Sequence, residues 1–217
     1  MSITVKPSQK FGGNGGTSLD DFGIIMNDSS FNGINIKKIL IRKVEAQCGI
    51  VVDSIQITYY LETIKGAYEF PGNKYGGSGG ELGDKLVYIF TDDDQVTGIS
   101  GRYGPYIGTD DNIISNLKFH TSQNNTINCG NSSTNRDTSF TLPVGVFYGN
   151  SGNLVDSIGT YEISEPILTT LPSQSTIVAL SCTTGILGFC LLIITGIFLW
   201  KEFRKQKAVP APPLAND

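Results

Sequence analysis

The sequence predicts an all-β protein followed by a single transmembrane α-helix. Three observations lead there. Ile55, Ile57 and Tyr59 alternate with Ser54, Gln56 and Thr58, the period of a half-buried strand. Glycine is abundant (26 of 217 residues) and charged residues are scarce at 17%, a composition that favours turns over helices. Residues 177–200 form an uncharged run of 24 residues. At roughly 1.5 Å per residue, such a run crosses a hydrocarbon core of roughly 30 Å.

Taken in order, Ile3 and Val5 alternate with polar neighbours as a first strand would, and Met1–Lys6 lacks the apolar region of a secretory signal. Asp20-Asp21 is assigned to a turn. A carboxylate-pair enzyme would need surroundings that separate an acid from a base, and nothing near these two does so. Ile34, Ile36, Ile39 and Ile41 mark a strand with an irregularity at Lys37-Lys38, read as a bulge. Leu86–Phe90, Leu117–Phe119 and Phe140–Val144 read as further short strands. Thr91–Asp94 lacks the spaced ligands and closing glutamate of a calcium loop, so it reads as a solvated turn. His120, the single histidine, has no Cys or Ser motif beside it and reads as structural or exposed. The chain is therefore expected to be no enzyme, with no catalytic residue, no metal ligand and no cofactor. Tyr103–Gly108 is a turn in which Tyr106 is placed either to stack on a ligand ring or to pack inward.

Two motifs each occur twice. Gly49–Ile55 and Gly152–Ile158 both read Gly-x-x-Val-Asp-Ser-Ile. Phe11–Gly16 and Tyr75–Gly80 both read aromatic-Gly-Gly-polar-Gly-Gly. One glycine loop signals only a turn, but paired recurrence signals a repeated supersecondary unit. The chemistry suits a neutral polyol. Glycine lets backbone N–H groups approach a ligand closely, and an ionised aspartate accepts from two hydroxyls at once. The plainer reading is that Asp53 and Asp156 cap turns and the glycines make hairpins. The recurrence tips the balance toward binding. Gly108–Asn112, in the third repeat, supplies no Gly-x-x-x-Asp, so no third site is expected.

From about Ile3 to Tyr161 the chain resembles a jacalin-related lectin domain. The markers are the Gly12–Gly16 loop with Leu19-Asp20-Asp21, Asp53–Tyr60, Tyr75–Gly80, Ile99–Gly104, Ile114–Phe119, Ser139–Pro143 and Gly149–Gly159. The resemblance implies a β-prism of three Greek-key sheets with pseudo-threefold symmetry, and metal-free binding of mannose or glucose. It implies a primary carbohydrate site at Gly16, Asn153, Leu154 and Asp156. It implies a second at Gly80, Ile50, Val51 and Asp53. The unbroken Gly12–Gly16 loop is similar to mannose/glucose-type members, whereas galactose-binding ones are cut near there. The alternative function is a protein–protein interaction module on a prism that has lost sugar binding.

Cys48 and Cys129 fix no bridge without distances. Two independent thiols are slightly favoured, while a bridge would brace the turn at Gly49. Asn27, Asn124 and Asn131 lie in glycosylation sequons, which matter only in a luminal domain. Residues 1–200 hold 12 basic and 18 acidic residues, which argues against nucleic acid as a partner. The chain thus divides into a lectin-like domain (1–163), a linker (164–176), a transmembrane helix (177–200) and a short basic, Pro-rich tail (201–217). The lipid bilayer is a partner, and Ser181 and Gly185 have the small-xxx-small spacing of a homo-oligomer. Lys201, Arg204, Lys205 and Lys207 follow the run and favour a cytoplasmic C-terminus with the domain extracellular or luminal. A tail-anchored cytosolic domain is the alternative.

Overall fold

The computed structural model describes residues 3–77, 84–131 and 136–164, all within one compact unit, Met1–Pro166. The expected span 177–200, the tail 201–217, the linker beyond Ser164, and Gly80 lie outside the described residues. Among the described residues no helix is long and apolar enough to cross a membrane.

The described residues form thirteen strands, one short α-helix and a 3-10 turn at Ser29–Phe31. The first are β1 (Thr4–Pro7), β2 (Phe11–Gly12) and β3 (Thr17–Asp20), then α1 (Asp21–Asn27). Next come β4 (Ile36–Cys48), β5 (Val52–Thr63), β6 (Gly66–Gly76) and β7 (Asp84–Ile89). After them run β8 (Val96–Pro105), β9 (Asn112–Thr121), β10 (Thr126–Cys129) and β11 (Thr138–Leu142). Last are β12 (Gly145–Ser151) and β13 (Val155–Ser164). They form three antiparallel sheets: the first has the order β1-β13-β12-β3, with β2 also on β13, the second β6-β5-β4-β7 and the third β10-β9-β8-β11. Each sheet is built on a central hairpin flanked by one strand on either side, and the first sheet, which adds β2, joins the two ends of the described chain. This is the all-β, three-sheet architecture of a prism.

The inward residues of the three sheets meet in one core. Ile57, Tyr59 and Leu61 come from the second sheet, Leu117 and Phe119 from the third, and Phe147 and Ile158 from the first, all fully buried. Phe119 lies 6.4 Å from Phe90 and 6.1 Å from Phe147, ring centre to ring centre, so aromatic contacts join the sheets. The irregularity expected at Lys37-Lys38 is present as a register shift in the β4–β5 ladder between Ile36 and Lys38.

Asp20-Asp21 is not a simple turn. Asp20 caps α1 by accepting from the Gly23 N–H at 2.9 Å, and Asp21 opens the helix, where an acid is favoured. Asp21 is also fully buried, and its hydrogen-bond partners among the described residues are neutral. It accepts from Tyr59 Oη at 2.7 Å, from the backbone and side chain of Asn73 at 2.8 Å each, and from Tyr75 Oη at 3.3 Å. Tyr59 Oη in turn accepts from the Phe147 N–H at 3.0 Å. That N–H lies on the part of β12 below its pairing with β3, so a tyrosine hydroxyl stands in for the missing strand. Burial raises the Asp21 carboxyl above its usual value, opposed by these hydrogen bonds, that of Tyr59 first.

Replacing Tyr59 with Phe removes the donor to Asp21 Oδ2 and the acceptor of the Phe147 amide, while Asn73 and Tyr75 still bond Asp21 Oδ1. It should cost about 1–3 kcal/mol in urea unfolding, the price of leaving buried polar groups unpaired. Tyr60→Phe, on the half-buried neighbour, should change stability by no more than about 0.5 kcal/mol.

Candidate functional site

Both aspartates of the repeated motif occupy the same backbone irregularity. In the β12–β13 ladder Asn150 faces Ser157 and Ser151 faces Val155, so Asp156 is the extra residue of a bulge. In the β4–β5 ladder Gln47 faces Ser54 and Cys48 faces Val52, so Asp53 is skipped in the same way. The turns match as well. Gly152 N–H donates to Leu154 O at 3.1 Å, and Gly49 N–H donates to Val51 O at 3.1 Å. A residue skipped by the ladder has no cross-strand partner, and its side chain is free to address what lies beyond the hairpin.

What lies beyond is glycine. Gly12 has φ +115° and rests against the Asp156 carbonyl and Ser157, and Gly13 N–H donates to Asp156 O at 2.8 Å. A Cβ on Gly15 would stand 2.7 Å from Asp156 Oδ1. Gly16 has φ +67°, and a Cβ there would overlap the Ser151–Gly152 peptide. Side chains are thus excluded at Gly12, Gly15 and Gly16 by contact, and at Gly12 and Gly16 by conformation as well. The sequence-predicted Gly16, Asn153, Leu154 and Asp156 are brought together on this loop and turn.

The Asp156 carboxylate lies between Gly15 and Gly152, and its Oδ2 is shut off from solvent with no hydrogen-bond partner among the described residues. Burial raises its pKa above the usual aspartate value, the Gly152 N–H lowers it, and the negative charge of Asp111 raises it further. Asp111 belongs to the β8–β9 connection, whose Tyr106 and Ile107 are exposed. Buried polar atoms are nearly always paired, so this oxygen marks a carboxylate whose acceptor capacity the described residues do not fill.

Three comparisons with known proteins bear on this geometry. The family description "Jacalin-like lectin domain" matches residues 8–161. The chain belongs to that family. Jacalin-related lectin 3 of Arabidopsis thaliana is 27% identical over 172 residues, covering 77% of this chain. The chain spans only 26% of that relative's length. Among solved structures, an artocarpin–mannotriose complex aligns with TM-score 0.56 at 22% identity, covering 74% of this chain and 97% of its own. Wild-type Malaysian banana lectin aligns with TM-score 0.55 at 24% identity, covering 75% of this chain and all of its own (100%). At these identities the structures establish the fold, the β-prism.

The jacalin-like domain carries the second turn with a difference. Ile50, Val51 and Asp53 are placed as Asn153, Leu154 and Asp156 are, with Ile50 63% exposed at the rim. Gly76 has φ +85° and rests against the Asp53 carbonyl, as Gly12 does on Asp156. Burial raises the Asp53 carboxyl and the Gly49 N–H lowers it. The two cysteines are not independent thiols. Cys48 and Cys129 form a disulfide, with Cα atoms 5.0 Å apart, because β10 of the next sheet ends against the turn. The same junction carries a hydrogen bond from Asn131 N–H to Ile50 O at 3.0 Å.

In the third repeat Arg102 faces Asn116 and Tyr103 faces Ile114, so the skipped residue is Ser115. Its Oγ donates to Asp137 Oδ2 at 2.9 Å, so an internal carboxylate meets the residue that replaces the acid. Elsewhere, Asp94 of the Thr91–Asp94 run accepts from Tyr88 Oη at 2.8 Å and from Gln123 N–H at 3.2 Å, fastening a turn. His120 bonds Ser100 Oγ at 2.8 Å through Nε2, a structural role. Sequence reading missed Gly12, Gly15 and Gly152 as individual contacts of the acid. It also missed Asp111, whose proximity to Asp156 is tertiary.

Reduction of the Cys48–Cys129 bridge, or Cys129→Ser, should lower the stability of the domain by about 2–5 kcal/mol. Amide exchange should accelerate at Ile50–Asp53 and stay unchanged at Asn153–Asp156, whose turn has no such bridge. Hydrogen-exchange mass spectrometry with and without reductant reads both.

Proposed function

We propose that the protein is a membrane-anchored lectin that binds terminal mannose- or glucose-type sugars without a metal ion. The observation that carries this is the Asp156 carboxylate, lifted out of the ladder and set against a glycine loop with acceptor capacity the described residues do not fill. An ionised carboxylate accepts from two neighbouring hydroxyls of one hexose. Asn153 and Leu154 add backbone N–H donors, and Gly16 lets the sugar ring come close to the main chain. The donor set is one carboxylate with amides, which matches hydroxyls better than a cation. The sugar class is taken from relatives such as artocarpin, whose solved complex holds mannotriose. Asp53, with Ile50, Val51 and Gly80, forms a second site of the same kind.

The lectin domain is residues 1–163, followed by the linker 164–176, the span 177–200 and the tail 201–217. Its partners are glycans and the bilayer, with homo-oligomers formed through the span. The Cys48–Cys129 bridge supports an extracellular or luminal domain, since disulfides persist in oxidising compartments and are rare in the cytosol. One hexose held at on the order of millimolar corresponds to about −4 kcal/mol. Two sites displayed on a membrane raise avidity by on the order of 10²-fold or more where geometry allows both to engage.

The test is calorimetric titration of the full chain in detergent micelles with methyl α-mannoside and a chelator. Asp156→Asn should remove most of the binding heat. Because only the ionised carboxylate accepts both hydroxyls and its pKa is raised, affinity should fall with decreasing pH at a midpoint above the ordinary 3.8. A folded protein that ignores mannose, glucose and other common hexoses would instead be a protein-binding prism.

A further inference from the structure

At the end of the prism away from the acid turns, the first and second sheets part around a cavity of about 200 Å³. Its walls are Ile39 and Ile41 of β4, Tyr59 of β5, Val144 just before β12 and Ile163 near the end of β13. Tyr59 presents only its ring, since its hydroxyl is taken up by Asp21 and the Phe147 N–H. The ladders fix the location. Ile36 faces Thr63 at one end of the β4–β5 ladder, and Cys48 faces Val52 at the other. Gly145 faces Glu162 at one end of the β12–β13 ladder, and Ser151 faces Val155 at the other. The cavity therefore lies roughly 30 Å along β4 from the second turn.

Two lysines stand at its mouth. Lys37 is the skipped residue of the β4 bulge, between Ile36, which faces Thr63, and Lys38, which faces Glu62. Regular alternation would send these neighbours to opposite faces of the sheet, and the bulge lets both line one cavity. The ladders bring Glu62 and Glu162 to this end as well, yet among the described residues neither lysine makes an ion pair. An apolar cavity with two uncompensated cations at its opening is complementary to a chain that is apolar along its length and negative at one end.

We infer that this cavity binds a medium-chain fatty-acid anion, with the alkyl chain against Ile39, Tyr59 and Ile163 and the carboxylate between Lys37 and Lys38. A cavity of roughly 150 Å³ holds benzene, so on that scale this one holds about eight carbons. The length selects the occupant. An eight-carbon acid fills the cavity and leaves its carboxylate at the lysines. A phospholipid tail is longer and would hold its headgroup away from them. A hexose carries hydroxyls around its ring, and these walls offer them no partners. The site is separate from the acid turns and does not depend on the sugar-binding reading.

The test uses the full chain in phosphatidylcholine nanodiscs, because detergent would compete for an apolar cavity. Butanoate, hexanoate, octanoate, decanoate and dodecanoate are titrated by calorimetry, with the heat of protein-free discs subtracted. Affinity should rise about fourfold per added methylene and level off beyond about eight carbons. 1-Octanol should bind about tenfold or more weakly than octanoate, since it lacks the charge that the lysines meet. Lys37→Gln combined with Lys38→Gln should remove that difference, and Val144→Trp, which fills the cavity, should abolish octanoate binding. The chain-length series and the octanol comparison need only the wild-type chain, so a variant that fails to fold does not decide the outcome.

No saturable heat above that of the discs would overturn the inference. So would an affinity that keeps rising through dodecanoate, the behaviour of partition into the bilayer, or octanol bound as tightly as octanoate.

Discussion

The site depends on a single backbone device, a bulge that lifts one residue out of a hairpin ladder. Toward the turn of the central hairpin it recurs in each sheet, at Asp53, Ser115 and Asp156. A paired residue would send its side chain to the core or to the outer face of the sheet, as strand alternation requires. The skipped residue does neither and addresses the loop at the end of the hairpin. The positive-φ glycines Gly12, Gly76 and Gly130 then bring that loop against the backbone of the skipped residue. Acid, close-approach loop and backbone amides are consequences of one extra residue in each long hairpin.

Two covalent and polar clamps keep the prism around this device. At one, the buried Asp21 gathers Tyr59, Asn73 and Tyr75 from the second sheet, while Tyr59 reaches Phe147 on the first. At the other, the Cys48–Cys129 bridge ties the second sheet to the third beside a turn. The first clamp is a satisfied polar network and specifies a unique junction. The second restricts the unfolded chain and holds the turn's frame in the native one.

Much of the fold was legible because strand alternation and turn glycines are local. Ile55, Ile57 and Tyr59 face inward as their period requires, and the bulge near Lys37-Lys38 is where the alternation slips. The duplicated Gly-x-x-Val-Asp-Ser-Ile led to two turns of matching geometry. The short helix after Asp20 was missed, although an aspartate cap followed by an acid is a helix-start signal, because the glycine at position 23 reads as a turn. The disulfide was missed for another reason. Cys48 and Cys129 are 81 residues apart in sequence, and only the closure of the prism brings their sheets together. The orphaned oxygen of Asp156 was equally invisible, since hydrogen-bond vacancy belongs to the folded environment and not to the residue.

The third bulge has a consequence for protein design. Its backbone already has the form of the other two, so it invites conversion into another binding element by placing an acid at Ser115. That single exchange would set two carboxylates against each other, because Asp137 now accepts from the Ser115 hydroxyl. A β-prism therefore gives away a site through two positions and has to recover it through two. The symmetry of a repeated scaffold is easier to break than to restore.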